Sequence, residues 1–134
     1  MDRTFLMIKP EAVAAGHQGR IIDMLLANRF RIRRMKQFRF DAGTAGEFYG
    51  VHRGKPFFEA LVAYITSGEV VGMELEKEEG VALLRELVGA TDPASARPGT
   101  IRYMYGTSLQ ANAVHASDSR SSAEKELAIV FGRE

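Results

Sequence analysis

The chain has 134 residues, 46% of them hydrophobic, enough to bury a sizeable core, and one domain is expected over residues 1–134. Eighteen Lys and Arg against seventeen Asp and Glu leave a formal charge of +1, which excludes a strong overall pull toward nucleic acid or membrane, so any polyanion must be met by a local cluster. The absence of cysteine excludes disulfides and thiolate metal sites, no apolar stretch is long enough to span a bilayer, and the opening run Phe5 to Ile8 is too short for a signal-peptide core; a cytoplasmic protein is expected.

Thr4 to Ile8 reads as a buried strand closed by Lys9-Pro10. Beyond Gly16 and Gly19, Ile21, Ile22, Leu25 and Leu26 recur at helical spacing and predict an amphipathic helix. From Phe30 to Phe40, Phe30, Ile32, Phe38 and Phe40 share one parity against Arg31, Arg33 and Arg39, a second strand whose pattern Arg34 and Met35 break. Thr44 to Ser67 predicts two short helices bent near Gly54, the second opening behind Pro56. Gly68 ends that pair, Val70 to Leu75 forms a third strand, and Val81, Leu84, Leu87 and Val88 predict a helix closed by Gly89. Thr91 to Thr100, with Pro93, Pro98 and Gly99, is a long loop. Ala113-Val114 leads a last strand into His115, and Ser121 with Glu124 suggests a capping box for a final helix. This order contains a βαββαβ core: an α/β (α+β) ferredoxin-like fold, with helices covering a four-stranded antiparallel sheet.

Phosphate-friendly groups gather between Thr91 and Ser119: Arg97, Thr100, Arg102, Asn112, His115, Ser117 and Asp118. Guanidinium groups grip phosphate oxygens as planar forks, and hydroxyls and loop N–H groups add directed donors. Imidazole is nucleophilic near neutral pH and can attack phosphorus without a separate base, which singles out His115. No Gly-rich loop ending in Gly-Lys-Ser/Thr is present, so a P-loop kinase is not expected.

Nearly the whole chain also carries a resemblance. Asn112-Ala113-Val114-His115-Ala116-Ser117-Asp118-Ser119 resembles the active-site signature of the nucleoside diphosphate kinases. Thr4 through Val13 is similar to that family's opening strand, and Lys55-Pro56-Phe57-Phe58 with Ser67-Gly68 to its helical hairpin. Gly89 to Pro93 and Arg97 to Arg102 are similar to its nucleotide loop. The resemblance implies that His115 takes the γ-phosphate of ATP or another nucleoside triphosphate and hands it to a nucleoside diphosphate, a ping-pong cycle through phosphohistidine. It implies that Glu126, with Ser117, orients the imidazole; that Arg85, Thr91 and Arg102 hold phosphates; and that Lys9 and Asn112 reach the ribose hydroxyls and inner phosphate oxygens. Tyr49 and His52 would line the phosphate side. Phe57, with Leu109 opposite, would sandwich the base, a contact that reads no base edge, so broad base and sugar tolerance is implied. Helical spacing with Leu61 and Ile65 equally allows Phe57 to be core. Magnesium would enter on the nucleotide with no direct protein ligand, Asp118 helping at most through water. A closed homo-oligomer, tetramer or hexamer, is implied as well.

Two features depart from the family pattern. Ala116 stands where glycine usually follows the histidine, a change too small to abolish activity, and Lys77-Glu78-Glu79-Gly80 leaves the next helix less well capped. Two rival readings compete with this one. Arg29, Arg31, Arg33, Arg34, Lys36 and Arg39 interleave with Phe30, Phe38 and Phe40, as in a nucleic-acid-binding ferredoxin-like module without turnover, but the balanced charge favours a solvated strand face and no specific nucleic acid is expected. His17, His52 and His115 lack the short spacing of a helical zinc motif, which weakens a metal-dependent hydrolase.

Overall fold

The computed structural model describes residues 1–132. Strand β1 (Asp2–Ile8) runs into a one-turn helix α1 (Pro10–Ala14), followed by α2 (Gln18–Ala27) and β2 (Arg31–Phe38). The hairpin of α3 (Ala42–Phe48) and α4 (Phe58–Ile65) encloses a short 3-10 turn at Gly50–His52. Then come β3 (Val70–Lys77), α5 (Gly80–Val88), a 3-10 turn at Pro93–Ser95, α6 (Ile101–Tyr105), β4 (Val114–Ala116) and α7 (Arg120–Phe131). The sheet order is β2-β3-β1-β4 with every neighbouring pair antiparallel, the predicted ferredoxin-like arrangement.

β1 is central and covered on both faces, so Phe5, Leu6, Met7 and Ile8 are all fully buried, each contributing about 1.5–3 kcal/mol of apolar burial. Strand alternation sends Leu6 and Ile8 to a core with Ile21 and Leu25 of α2 and Leu84 and Val88 of α5. Phe5 and Met7 face a second core with Phe48, Ile65, Leu127 and Val130. Gly72 of β3 lies on this second face. A Cβ there would stand 3.2 Å from both the Phe5 ring and Val130, so a larger residue would press on both and glycine lets α7 settle closely onto the sheet.

The break expected at Arg34 and Met35 is a β-bulge: Ile32 pairs with Leu75 but Arg34 with Glu74, leaving Arg33 extra. The bulge corrects the single parity read from the sequence. Phe30 and Ile32 pack with the first core, whereas Phe38 and Phe40 pack with the second. It also brings Arg34 beside the buried Glu74, with Nε 2.8 Å from Oε1.

Other boundaries differ from the pattern reading. α1 and α6 were not anticipated, and α4 starts at Phe58, two residues after Pro56. α7 is capped by Ser119, whose Oγ accepts from the Ser122 N–H at 3.1 Å, rather than by Ser121. The start of α5 does lack a side-chain cap of its own: Glu79 sits at φ 52, and Asp2 of β1 supplies an oxygen 3.4 Å from the Val81 nitrogen.

Candidate active site

His115 is the middle residue of β4, opposite Met7 of β1. Val114 and Ala116 therefore point into the first core, and His115 points to the other face, toward Phe5 and Phe48. Its ring stands edge-on to Phe48, with centroids 5.2 Å apart, and the side chain is 25% exposed. One side is thus held by aromatic packing and the other opens to solvent.

The polar partner comes from α7. Ala123, Leu127 and Val130 bury one stripe of this helix, and Glu126 sits at its margin beside the imidazole. His115 Nε2 lies 2.9 Å from Glu126 Oε1, and Ser117 Oγ donates to the same oxygen at 2.5 Å. Ser117 is itself fully buried, its N–H donating to the Phe5 carbonyl at 3.1 Å. A carboxylate only accepts, so the contact places the ring proton on Nε2 and leaves the lone pair on Nδ1.

His115 opens into a cleft of about 270 Å³ lined by, among others, Tyr49, His52, Arg85, Thr91, Arg102 and Glu126. Arg102 is buried, with Nη1 donating to the Gly89 carbonyl (3.1 Å) and Nη2 to that of Val114 (2.9 Å), while its Nε has no partner among the described residues. Gly89 makes this anchor possible. It adopts φ +91 at the end of α5, and a Cβ there would collide with Thr100 at 2.6 Å. Arg85 reaches the Ala116 carbonyl at 3.4 Å.

Behind the cleft, Lys9 Nζ donates to Asn112 Oδ1 at 2.8 Å, and Asn112 Nδ2 donates to the Thr91 carbonyl at 2.9 Å, joining the end of β1 to the nucleotide-like loop. These cations crowd one another. Burial and the Arg102 charge pull the Lys9 ammonium down to about 8, and burial with the Arg85 charge lowers Arg102 to about 10. Positive charge held this close, offset only in part by Glu11 and Asp118, suits a polyanion. Tyr49 is pushed up to about 12 by burial and the Glu126 charge, so its hydroxyl stays a donor. Asp118, on the cleft wall, is held below the usual carboxylate range, first by the Ser122 hydroxyl.

Phe57 and Leu109 lie outside the lining of this cleft. Phe57 is 47% exposed and contacts it through His52, whose ring centroid is 5.2 Å away, so the core alternative for Phe57 is overturned. Of α4 only Ile65 is buried, joining Ala45 and Phe48 of α3 in the second core. Leu109 is 62% exposed on the turn before Asn112. Pattern reasoning missed Phe48, Val51, Ser122 and Lys125 in the lining. Of these only Ser122 carries a sequence signal, its i, i+4 spacing to Glu126 on one helix face. Ala116 is not among the residues with positive φ, so this position accepts a Cβ.

Neither rival gains support. Much of the basic cluster is engaged internally: in β2, Arg33 pairs with Glu76, Arg34 with Glu74 and Lys36 donates to the Val130 carbonyl, and beyond the strand Arg39 donates to those of Thr66 and Ser67. His52 shares the cleft with His115 but His17 is not in its lining, and no group of three metal-ligating side chains occurs among the described residues. Nor is any helix among them long and apolar enough to cross a membrane.

Comparison with known proteins agrees with this geometry. The family model described as nucleoside diphosphate kinase matches residues 2–134. A nucleoside diphosphate kinase of Nitratiruptor sp. is 51% identical over 133 residues, covering 99% of this chain and 97% of the relative. The crystal structure of the Aquifex aeolicus nucleoside diphosphate kinase superposes with a TM-score of 0.94 at 44% identity, over 97% of this chain and 94% of that one. The Encephalitozoon cuniculi enzyme gives 0.95 at 34% identity, over 99% and 90%. With a match along nearly its full length, in sequence and in fold, the chain belongs to the nucleoside diphosphate kinase family, whose activity is phosphate transfer between nucleotides.

Proposed function

We propose that this chain, acting as one domain, moves the γ-phosphate of a nucleoside triphosphate onto a nucleoside diphosphate through a phosphorylated His115. The observation that carries the reading is the setting of the imidazole: Nε2 lies against Glu126, which is braced by Ser117, and the ring lines a cleft that also holds Arg85 and Arg102. In the first half-reaction, the Nδ1 lone pair forms a bond to the γ-phosphorus as the bond to the β–γ bridging oxygen breaks. That oxygen departs on the nucleoside diphosphate. The ring becomes cationic, and the Glu126 carboxylate offsets the charge without having to move. In the second half-reaction, a terminal oxygen of the incoming diphosphate attacks phosphorus, the N–P bond breaks, and the ring regains its lone pair.

The remaining side chains bind and orient. Arg85, Arg102 and the Thr91 hydroxyl take phosphate oxygens, Tyr49 and His52 flank them, and Lys9 and Asn112 reach the ribose and inner phosphate. The exposed face of Phe57, with Leu109 across from it, receives the base by stacking, which supports tolerance of base and sugar. Magnesium suits this donor set. Glu126 is engaged by His115 and Ser117, which leaves Asp118 as the lining carboxylate able to meet the ion through water, with the phosphates as its direct ligands. When bound with the nucleotide, the ion supplies neutralisation of the phosphate charge.

We also assign a homo-oligomer, tetramer or hexamer. The half-exposed Met35 on edge strand β2, and Tyr103 and Met104 on α6, support contacts between copies. The setting is the cytoplasm, a compartment that can supply nucleoside triphosphate. Initial rates at several fixed acceptor concentrations test the mechanism. Parallel double-reciprocal lines are expected, and lines that intersect would mean that both nucleotides bind before transfer.

A further inference from the structure

Two residues before His115, the chain does something costly. Ala113 is fully buried and sits at φ 76, in the left-handed region that a residue with a Cβ rarely enters. Its carbonyl accepts from the Lys9 N–H at 2.8 Å, but its own N–H precedes β4 and finds no strand partner. That N–H instead donates to Glu11 Oε2 at 3.0 Å, a group 102 residues earlier. The other carboxylate oxygen accepts from the Tyr64 hydroxyl of α4.

Each part of this arrangement is set by its neighbours. Pro10 opens α1, and the N–H groups of Ala12 and Val13 close on the Lys9 carbonyl, so Glu11 is carried on a rigid turn. Tyr64 is held protonated by burial and by Glu11 itself, which keeps it a donor to that carboxylate. β4 is only 3 residues long and meets β1 at Leu6, Met7 and Ile8, so it has little registry of its own beyond its entry angle.

We propose that Glu11 is a positioning residue that pins the left-handed backbone at Ala113 and thereby aims β4 and its imidazole at the bound phosphate. If the clamp is removed, a buried N–H is left unpaired, and Ala113 can relax toward negative φ. Every atom beyond that torsion then swings, beginning with Val114 and His115. The inference rests on His115 being the phosphate acceptor.

The test is rapid mixing of the full chain with γ-labelled ATP and magnesium, following label on the protein against time and ATP concentration. Glu11→Ala should slow first-turnover labelling by about tenfold or more while the half-saturating ATP concentration moves by less than about threefold, the split expected when aim rather than affinity is lost. Glu11→Gln keeps an oxygen for the Ala113 N–H and should stay within about threefold of the parent rate. Ala113→Gly, nearly silent alone, should restore most of the rate in the Glu11→Ala background, because glycine occupies positive φ without a clamp. A contribution of Glu11 to general stability alone would predict no such rescue. Parental labelling by Glu11→Ala, a loss confined to the ATP concentration, or failed rescue in a folded double variant overturns the proposal. If Glu11→Ala alone misfolds, Glu11→Gln and the double variant decide: both active is the expected result, and either one folded but slow overturns the clamp. No label on the parent chain would instead defeat the phosphohistidine reading itself.

Discussion

Raising the pH through the titration of Lys9 should move stability and nucleotide affinity in opposite directions. Burial and the neighbouring Arg102 guanidinium lower this ammonium from its ordinary 10.5 to about 8, the Glu11 carboxylate compensating only in part. Between about pH 8 and about pH 10.5 the unfolded chain therefore holds more protons at Lys9 than the folded chain, so this residue's contribution to stability rises with pH across that window. The gap corresponds to about 2–3 kcal/mol, allowing for the part of the side chain that still meets water. Binding has the reverse sign. Phosphate oxygens favour the charged ammonium, so a chain that has lost this proton must recover it to bind. Affinity for ADP with magnesium should fall by a factor on the order of ten between about pH 7.5 and about pH 9.5. Calorimetric titration across that range, beside denaturant unfolding at the same pH values, reads both effects. Lys9→Arg stays charged throughout and should bind with a nearly flat pH profile, and Lys9→Met should lose the rise in stability. An equal fall in affinity for Lys9→Arg would refute the reasoning, as would an unchanged rise in stability for Lys9→Met.

Three further substitutions probe separate parts of the site. Glu126→Gln keeps the shape but removes the charge that offsets the phosphorylated ring, and should slow single-turnover phosphorylation of the chain by about 10–100-fold with little change in melting temperature. Phe57→Ala should raise KM for adenine, guanine and cytosine nucleotides by similar factors and shift unfolding by less than about 0.5 kcal/mol, since the ring is half exposed; a selective effect on one base would argue against stacking. Gly89→Ala forces a Cβ onto Thr100 at positive φ and should cost about 2 kcal/mol or more by denaturant unfolding, with a rise in KM as the Arg102 anchor shifts.

Long periodic segments were legible because their patterns repeat over several turns or pleats, as in β1, α2, β3 and α5. The bulge announced itself as a break at Arg34, although the pattern did not reveal that Phe38 and Phe40 cross to the other core. α1 and α6 span five residues each, too few for any period to register. Ser119 and Ser121 are chemically equivalent caps, and only the backbone course distinguishes them. At the site, the chemistry of one residue cluster points to His115 and Arg102, Glu126 and Arg85 rest on a resemblance between ordered motifs, and Tyr49, His52, Arg85, Thr91 and Arg102 do converge on one cleft with His115. Composition could not have found Glu11, because its partners lie 53 and 102 residues away in sequence. Lys125 was invisible for a different reason: a lysine on a helix reads as solvated until the facing wall of the cleft is known.

The most direct test of the account is chemical. The chain is incubated with γ-labelled ATP and magnesium, freed of nucleotide, and then divided between acid, alkali and added GDP. The account predicts label bound to the protein that is lost in acid, kept in alkali and transferred to GDP, with none taken up by His115→Ala. Label that persists on His115→Ala, or that stays on the parent chain when GDP is added, would contradict transfer through this imidazole.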